Sequence, residues 1–265
     1  MKFKNLVLCS DLDGTLLNEE NEIPKINIEA INYFCAHGGK FMIATGRVPD
    51  AIFPVIGGLR LDFPCICHNG CSLYDLKKRE YIKTISLDDG AALVAEEISS
   101  FSSNSGIEVM NKDGICVIKR TPATDFHTEY EKIVPAYAEN IENAPKPWFK
   151  ILFAQSPKET EMIREKFLNS SHNENYTLVK THNFYYEIFN KKASKGNALK
   201  ELCQEYRIDL KNVIAIGDNE NDISMLSVAG VSAAVGNSPD IVKTCADIVT
   251  CSNEDGAIAD LISKL

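Results

Sequence analysis

The stretch LVLCSDLDGT, residues 6–15, places an apolar run before two carboxylates that are separated by a single residue. Consecutive apolar residues that include the β-branched Val7 predict a strand buried on both faces, as in a parallel sheet. Asp11 and Asp13 follow this strand where an open α/β sheet has its ligand crevice, beyond the carboxyl ends of its strands. The stretch therefore predicts both the fold class and the place of the chemistry.

The two carboxylates require either a proton or a cation between them, because like charges this close repel. Mg²⁺ prefers oxygen ligands and commonly takes one or two carboxylates together with water and phosphate. An aspartate is also a nucleophile toward phosphorus, giving an aspartyl phosphate. The structural alternative is an Asp-Gly turn at Asp13-Gly14 that closes a hairpin. The later motifs favour the metal site.

Composition limits the classes of function. The chain has 265 residues, of which 45% are hydrophobic and 25% charged, as is usual for one large or two moderate globular domains. A net charge of -9 and a pI near 5.2 argue against a nucleic-acid surface, which needs a basic stripe to neutralise phosphates. The negative net charge does not exclude small anionic substrates, since hydrogen-bond donors and a metal ion at the site decide whether they bind.

The compartment is predicted from apolar runs and cysteines. No apolar run approaches the roughly 20 residues that span a bilayer, and the first five residues lead into a strand rather than a signal sequence. Nine cysteines are an odd number in a chain too long to need disulfides, which favours reduced thiols. We expect a cytoplasmic protein with no membrane partner. Its oligomeric state is left open.

A second apolar run, residues 40–44, leads into Thr45-Gly46-Arg47. The segment between the two runs has helical periodicity, so strand, helix and strand predict a right-handed βαβ unit. Asp11 and Thr45 would then lie at neighbouring strand ends. A hydroxyl and the Gly46 N–H, at the start of a helix expected to follow, suit a phosphate. A Thr that only caps this helix is the alternative.

Two later motifs repeat the pattern. Residues 193–197 predict the start of a helix with Lys195 in its first turn, where the helix dipole disfavours a cation unless the cation faces an anion. The apolar run 213–216 then predicts a strand that delivers Asp218, Asn221 and Asp222. Together with the earlier strand ends, these residues predict a site for phosphate and Mg²⁺.

Residues 84–189 have a different pattern of predicted elements, with short strand-like runs in pairs and amphipathic helices before or between them. Such pairs are typical of an α+β unit with an antiparallel sheet. The strand and helix pattern of the start resumes at residue 190. We therefore predict a core formed by residues 1–83 and 190–265, with residues 84–189 inserted as a second domain.

Four ordered motifs resemble those of the haloacid dehalogenase (HAD) superfamily: DLDGT at 11–15, TGR at 45–47, SKG at 194–196 and GDNEND at 217–222. The position and size of the insertion resemble the Cof-like branch, type IIB, with a C2 cap. The resemblance implies an α/β fold with a Rossmann-like, doubly wound parallel sheet as its core. It also implies that the inserted α+β cap governs substrate specificity.

The resemblance further implies a role for each motif residue. Asp11 would attack phosphorus and bind Mg²⁺. Asp13 would bind Mg²⁺ through its backbone carbonyl, protonate the leaving group and then activate water. Asp218 would complete the metal ligands. Asp222 would lie near the metal, as a ligand or one shell further out.

The remaining motif residues would bind phosphate or substrate. Lys195 would bridge Asp11 and the phosphate, and Arg47 would lie near the substrate. The other residues implied on the phosphate or substrate side are Thr45, Gly46, the amide of Leu12, Asn221 and Asn69.

The predicted function is a Mg²⁺-dependent phosphatase of a small phosphorylated metabolite, such as a sugar phosphate, a flavin-precursor phosphate or pyridoxal phosphate. One alternative is a phosphomutase on the same scaffold, which would need cap arginines. Residues 84–189 offer only Arg120 and Arg164. The other alternative is a receiver-type regulator that binds phosphate without turnover. Receivers are much shorter, and their acidic pair precedes the phosphorylated aspartate.

Overall fold

The computed structural model describes residues 1–101, 105–170 and 173–265. Its strands in chain order are β1 (Val7–Ser10), β2 (Lys40–Ile43), β3 (Cys65–Cys67), β4 (Ser72–Asp75), β5 (Glu80–Thr84), β6 (Gly106–Asn111), β7 (Gly114–Lys119), β8 (Ala136–Tyr137), β9 (Trp148–Ala154), β10 (Tyr176–His182), β11 (Tyr185–Asn190), β12 (Val213–Gly217), β13 (Val231–Ala234) and β14 (Ile248–Val249).

The α-helices lie between and after these strands. They are α1 (Lys25–Ala36), α2 (Gly90–Phe101), α3 (Pro122–Tyr130), α4 (Pro157–Asn169), α5 (Lys195–Glu205), α6 (Ile223–Leu226), α7 (Asp240–Lys243) and α8 (Ala257–Ser263). Among the residues that the structure describes, no helix has both the length and the apolar character to cross a membrane.

Within the described ranges the strands form three sheets. A parallel sheet has the order β14-β13-β12-β1-β2, a six-stranded sheet has the order β10-β11-β9-β6-β7-β8, and β3-β4-β5 form a smaller sheet. The six-stranded sheet is antiparallel except where β7 meets β8. The predicted α/β class, with a parallel sheet in the core and a separate α+β sheet, is confirmed.

Strand β1 lies between β12 and β2, and all four of its residues are buried. Ser10, its last residue, pairs with Ile216 on one side and Ile43 on the other. Because the three strands are parallel, their carboxyl ends meet at one edge of the sheet. The residues that follow Ser10, Ile43 and Ile216 are therefore brought together.

The chain divides into two compact units. The first contains Met1–Gly46, Ile52–Ile82 and Ser194–Leu265, and the second contains Arg47–Ala51 and Lys83–Ala193. Each unit has an apolar core of its own: Leu8, Ile43 and Ile216 are buried in the first, and Val109, Ile151 and Phe153 in the second. The assignment of residues 84–189 as a specificity cap on a catalytic core stays a prediction.

The helix expected after Gly46 does not form. Between Gly46 and β3 the chain makes only a three-residue 3₁₀ helix, Pro49–Ala51, apart from turns. Pro49 and Pro54 lack the N–H groups that a continuous helix uses, and Gly57 and Gly58 both have positive φ angles. Gly46 therefore has no helix N-terminus behind its N–H group.

The periodicity of the sequence also missed helix α3. Thr121 caps it by accepting a hydrogen bond from the Thr124 N–H at 3.3 Å, and Pro122 is its first residue. A capping threonine followed by proline is a known signal for a helix start. Here that signal stood in a polar stretch whose hydrophobic periodicity was weak.

Candidate active site

Lys195 is the first residue of α5, and its side chain is fully buried. The helix starts here because the Ser194 hydroxyl accepts a hydrogen bond from the Asn197 N–H at 3.0 Å. The Lys195 ammonium donates to Asp11 Oδ1 at 2.5 Å and to Asp222 Oδ1 at 2.6 Å. Burial lowers its pKa, but the charges and hydrogen bonds of the two carboxylates outweigh burial and raise it above its ordinary value. The cation thus faces two anions, as its position at a helix start requires.

Asp11 extends the pairing of β1 with β12 by one residue, since its N–H donates to Ile216 O at 2.9 Å. Its carboxyl group is therefore held directly beyond the strand end. Burial and the charge of Asp222 raise the pKa of Asp11 to about 7, against the opposing charge of Lys195. A further cation beside Asp11 would favour its ionised form.

Asp222 folds the turn after β12 back on itself. Its Oδ2 accepts hydrogen bonds from the N–H groups of Asp218 at 3.0 Å and Asn219 at 3.1 Å. Gly217 allows this close approach, because a Cβ on Gly217 would lie 2.4 Å from Asp222 Cγ. With Lys195 on its Oδ1, Asp222 has both oxygens engaged by protein donors.

Three carboxylates, from Asp11, Asp218 and Asp222, each offer an oxygen within 4.8 Å of the others. Burial, together with the charges of Asp11 and Asp222, raises the pKa of Asp218 well above its ordinary value. Against these three charges the cluster holds one ammonium, from Lys195. Oxygen donors with an excess of negative charge are what Mg²⁺ prefers, so the residues fit a divalent cation. The side chain of Asp13 is not part of the trio.

Gly14 and Thr15 hold Asp218 in place. Gly14 has a φ of +71°, and a Cβ on it would lie 2.5 Å from Asp218 Oδ2. The Thr15 hydroxyl donates to Asp218 Oδ1 at 3.2 Å. Asn237 in turn donates to Gly14 O at 2.9 Å. Thr15 belongs to the DLDGT motif, whereas Asn237 lies outside the four motifs and was not predicted as a site residue. Asn237 follows β13 and is the kind of polar residue after a strand that marked the other motifs.

Asn69 lies in contact with three of the predicted phosphate residues, Thr45, Gly46 and Asn221. Thr45 is fully buried after β2, and its carbonyl accepts a hydrogen bond from the Asn69 N–H at 3.1 Å. The Asn69 amide lies against Gly46, where an added Cβ would be 3.1 Å from Asn69 Oδ1. That oxygen also accepts a hydrogen bond from Asn221 Nδ2 at 2.9 Å. Asn69 thus connects the two motifs that carry Thr45 and Asn221.

Leu12 and Arg47 differ from the rest of the predicted set. The side chain of Leu12 is buried in the apolar core of the first unit, so only its backbone is available for phosphate. Arg47 belongs to the second unit, where it donates to Ala51 O at 3.1 Å and lies 5.3 Å from the ring centre of Tyr130. The other predicted site residues all belong to the first unit.

The order of the motifs agrees with the comparison with known families. A family model described as haloacid dehalogenase-like hydrolase matches residues 8–262. The chain belongs to this family. It is an enzyme of the HAD-like phosphatase class, as the motifs predicted.

Two curated relatives and one solved structure extend this result. The chain is 28% identical to pyridoxal phosphate phosphatase YbhA of Escherichia coli, over 97% of each chain. It is 27% identical to 5-amino-6-(5-phospho-D-ribitylamino)uracil phosphatase YwtE of Bacillus subtilis, again over 97% of each. The HAD subclass IIB sugar phosphatase BT4131 has the same fold, with a TM-score of 0.85, 22% identity and 98% of each chain covered. The predicted resemblance to the haloacid dehalogenase family is confirmed.

Proposed function

We propose that this protein is a Mg²⁺-dependent phosphatase that hydrolyses a small phosphorylated metabolite through an aspartyl phosphate on Asp11. One observation carries the proposal. The buried ammonium of Lys195 contacts Asp11 and Asp222 at once, beside a third carboxylate from Asp218. A nucleophilic carboxylate thus lies in a cluster with an excess of negative charge, which suits a metal ion. The metal ion and Lys195 would together neutralise a phosphoryl group placed beside Asp11.

The proposed metal ligands are the side chains of Asp11 and Asp218 and the backbone carbonyl of Asp13. Asp222 would act one shell further out, because its two oxygens already accept hydrogen bonds from Lys195, Asp218 and Asn219. When bound, Mg²⁺ would neutralise the charge that develops on the phosphoryl oxygens.

Asp11 and Asp13 would carry the covalent chemistry. An oxygen of Asp11 attacks phosphorus, and the bond from phosphorus to the leaving-group oxygen breaks. Asp13 gives its proton to the leaving alkoxide and then takes a proton from water, which attacks the aspartyl phosphate. Phosphate leaves, and the Asp11 carboxylate is restored. Lys195 holds Asp11 in position, and its third N–H, beyond the two that contact Asp11 and Asp222, would donate a hydrogen bond to a phosphoryl oxygen.

The remaining predicted residues would bind the substrate. The Thr45 hydroxyl, the N–H groups of Gly46 and Leu12, and the amide of Asn221 would donate to phosphoryl oxygens. Asn69 would orient Asn221 through the hydrogen bond that joins their side chains. Arg47, the next residue after Gly46, would lie near the substrate.

The substrate proposed is a sugar phosphate, a flavin-precursor phosphate or pyridoxal phosphate. The relatives support this range, since two of them are named for pyridoxal phosphate and for a ribitylaminouracil phosphate. Residues 84–189 would act as the cap that selects among such compounds. We propose a cytoplasmic location, supported by nine cysteines that are all free thiols, and no nucleic-acid partner, in keeping with the net charge of -9.

The test is phosphate release from a panel of phosphorylated metabolites, with Mg²⁺ and with EDTA. We expect release from a few compounds, and loss of release in EDTA that added Mg²⁺ restores. Release that EDTA does not affect would contradict the metal assignment. Conversion of a sugar phosphate to its isomer, without release of free phosphate, would contradict the phosphatase assignment and support the phosphomutase alternative.

A further inference from the structure

Asn237 lies in the turn after strand β13, outside the four motifs that carry the proposed chemistry. Its side-chain Nδ2 donates a hydrogen bond to Gly14 O at 2.9 Å, in the loop that follows β1. That loop is closed on itself, because the N–H groups of Leu16 and Leu17 donate to Leu12 O at 3.0 and 2.9 Å. Asn237 therefore attaches the loop after β1 to the end of a different strand, and both belong to the first unit.

The side-chain amide of Asn237 is held at both of its ends. Its Oδ1 accepts a hydrogen bond from the Asn253 N–H at 3.0 Å, in the turn after β14. Its Nδ2 donates to Gly14 O. A reversed amide would place its oxygen against the Gly14 carbonyl and its NH₂ group against the Asn253 N–H, so that both hydrogen bonds would be lost. The side chain therefore has one orientation that satisfies both partners.

Gly14 adjoins two of the proposed metal ligands. Its nitrogen shares a planar peptide group with the Asp13 carbonyl, so a rotation of that peptide turns the proposed carbonyl ligand. Its Cα lies against the Asp218 carboxyl group, since an added Cβ would be 2.5 Å from Asp218 Oδ2 and 2.9 Å from Asp218 Cγ. The orientation of Gly14 therefore affects both Asp13 and Asp218.

Gly14 needs a restraint from outside its own backbone. Its φ is +71°, and glycine adopts positive and negative φ angles about equally readily. Steric repulsion within the residue thus does not hold its carbonyl in one direction, whereas the hydrogen bond from Asn237 does. The next residue, Thr15, donates to Asp218 Oδ1 at 3.2 Å, so the same loop also holds the carboxylate. Loss of Asn237 would free the Gly14 carbonyl to turn and would loosen both proposed ligands.

Two divalent cations differ in how well they tolerate loosened ligands. Mg²⁺ requires a nearly ideal octahedron with its ligands at about 2.0–2.1 Å. Ca²⁺ accepts about six to eight oxygens at about 2.3–2.6 Å in flexible geometries. A loop that is held in one orientation therefore favours Mg²⁺, and loosening the loop should weaken the binding of Mg²⁺ more than that of Ca²⁺.

We propose that Asn237 is a positioning residue that increases the preference of the site for Mg²⁺ over Ca²⁺. It acts by fixing the carbonyl of Gly14, and through Gly14 the two proposed ligands Asp13 and Asp218. The proposal rests on the proposed function, from which it takes the metal ligands. It deepens that function by assigning cation selectivity to a residue outside the four motifs.

The test measures the Kd of Mg²⁺ and the Kd of Ca²⁺ by isothermal titration calorimetry without substrate, so that the result does not depend on turnover. Asn237→Ala should raise the Kd of Mg²⁺ about 10-fold and the Kd of Ca²⁺ by no more than about 2-fold. The ratio of the Kd of Ca²⁺ to the Kd of Mg²⁺ should therefore fall by at least about 5-fold.

Asn237→Asp is a second variant, which keeps the shape of the side chain. It retains an acceptor for the Asn253 N–H but loses the donor to Gly14 O. Its added negative charge attracts both divalent cations, so the ratio of the two Kd values separates the loss of positioning from the gain of charge. We expect this ratio to fall as it does in Asn237→Ala.

Asn253→Ala is the matched control, because Asn253 holds the same loop at another point. Its Nδ2 donates to Leu17 O at 2.9 Å, and its backbone N–H, which the substitution retains, donates to Asn237. The control thus weakens the attachment of the loop without removing the hydrogen bond on Gly14 O. It should keep the wild-type ratio of the two Kd values.

The outcomes separate this proposal from the proposed function. If Asn237 only stabilises the fold, both of its variants melt at a lower temperature but keep the wild-type ratio, which overturns the proposal while Mg²⁺-dependent phosphate release stands. An equal fall of the ratio in Asn253→Ala also overturns it, because general loosening of the loop would then be the cause. A wild-type protein that binds neither cation contradicts the metal assignment itself, and the present proposal with it.

Discussion

The ammonium of Lys195 lies 2.5 Å from the carboxylate of Asp11, and both side chains are buried. The same ammonium contacts Asp222 at 2.6 Å. One cation thus serves two carboxylates, so loss of Lys195 leaves two buried carboxylates without their cation, whereas loss of Asp11 leaves Lys195 paired with Asp222. This shared lysine ties the proposed nucleophile to the turn after β12, so that activity and stability depend on the same contacts.

Asp11→Asn should abolish phosphate release, by more than about 10³-fold, because an amide oxygen does not form the aspartyl phosphate. The fold should persist, since asparagine has the same shape and Lys195 keeps Asp222 as its partner. Phosphate assays and thermal melts check both statements. Asp113→Asn, at an exposed position in the second unit, is the control. Turnover of Asp11→Asn near the wild-type level would refute the nucleophile assignment.

Lys195→Met should lower the free energy of unfolding by about 3–5 kcal/mol, because it leaves two buried carboxylates without their cation. Phosphate release should fall as well. Lys200→Met, at an exposed position of the same helix, should change the free energy of unfolding by no more than about 0.5 kcal/mol. Denaturant titrations of both variants make the comparison. If the two variants have the same free energy of unfolding, the ion pairs of Lys195 with Asp11 and Asp222 do not stabilise the fold.

Gly14→Ala should raise the Mg²⁺ concentration needed for half-maximal activity about tenfold, because the new Cβ would displace Asp218. Gly57→Ala separates this effect from backbone strain. Gly57 also has a positive φ, of +54°, but a Cβ there has nothing within 4 Å. Both variants should lose about 1–2 kcal/mol of stability. An equal Mg²⁺ requirement in the two would mean that Asp218 is not held by its contact with Gly14.

His127 should make the stability of the protein depend on pH. Its pKa is raised from 6.5 to about 10 in the folded state, where burial is outweighed by Glu108 and Glu131. Between these pH values the folded state holds a proton that the unfolded state lacks, so the stabilisation falls as pH rises. It is fully present below pH 6.5 and lost as the pH passes 10.

The measurement is the difference in unfolding free energy between wild type and His127→Gln at pH 6, 7.5 and 9. We expect this difference to shrink with rising pH, by up to about 1.4 kcal/mol per pH unit above pH 6.5. A difference that is constant over this range would show that His127 titrates alike in the folded and unfolded states.

The sequence predicted the first unit better than the second. The runs before Asp11, Thr45 and Asp218 are mostly apolar because their strands are largely buried in a parallel sheet, so that each strand end could be recognised locally. Helix α3 was missed because only its N-terminal capping signal was clear. The helix expected after Gly46 was wrong because Pro49 and Pro54 interrupt the stretch.

The sequence by itself determined which residues follow strands β1, β2 and β12. A buried parallel strand is recognised by its apolar run, and the polar residue after that run lies at the edge of the sheet where the strands end. Only the tertiary structure decided what those residues contact, as with Lys195 between Asp11 and Asp222. It alone assigned Arg47 to the second unit and placed His127 between Glu108 and Glu131. The physical reason is that burial on a strand is encoded by neighbouring residues, whereas a contact between distant segments depends on how whole elements pack.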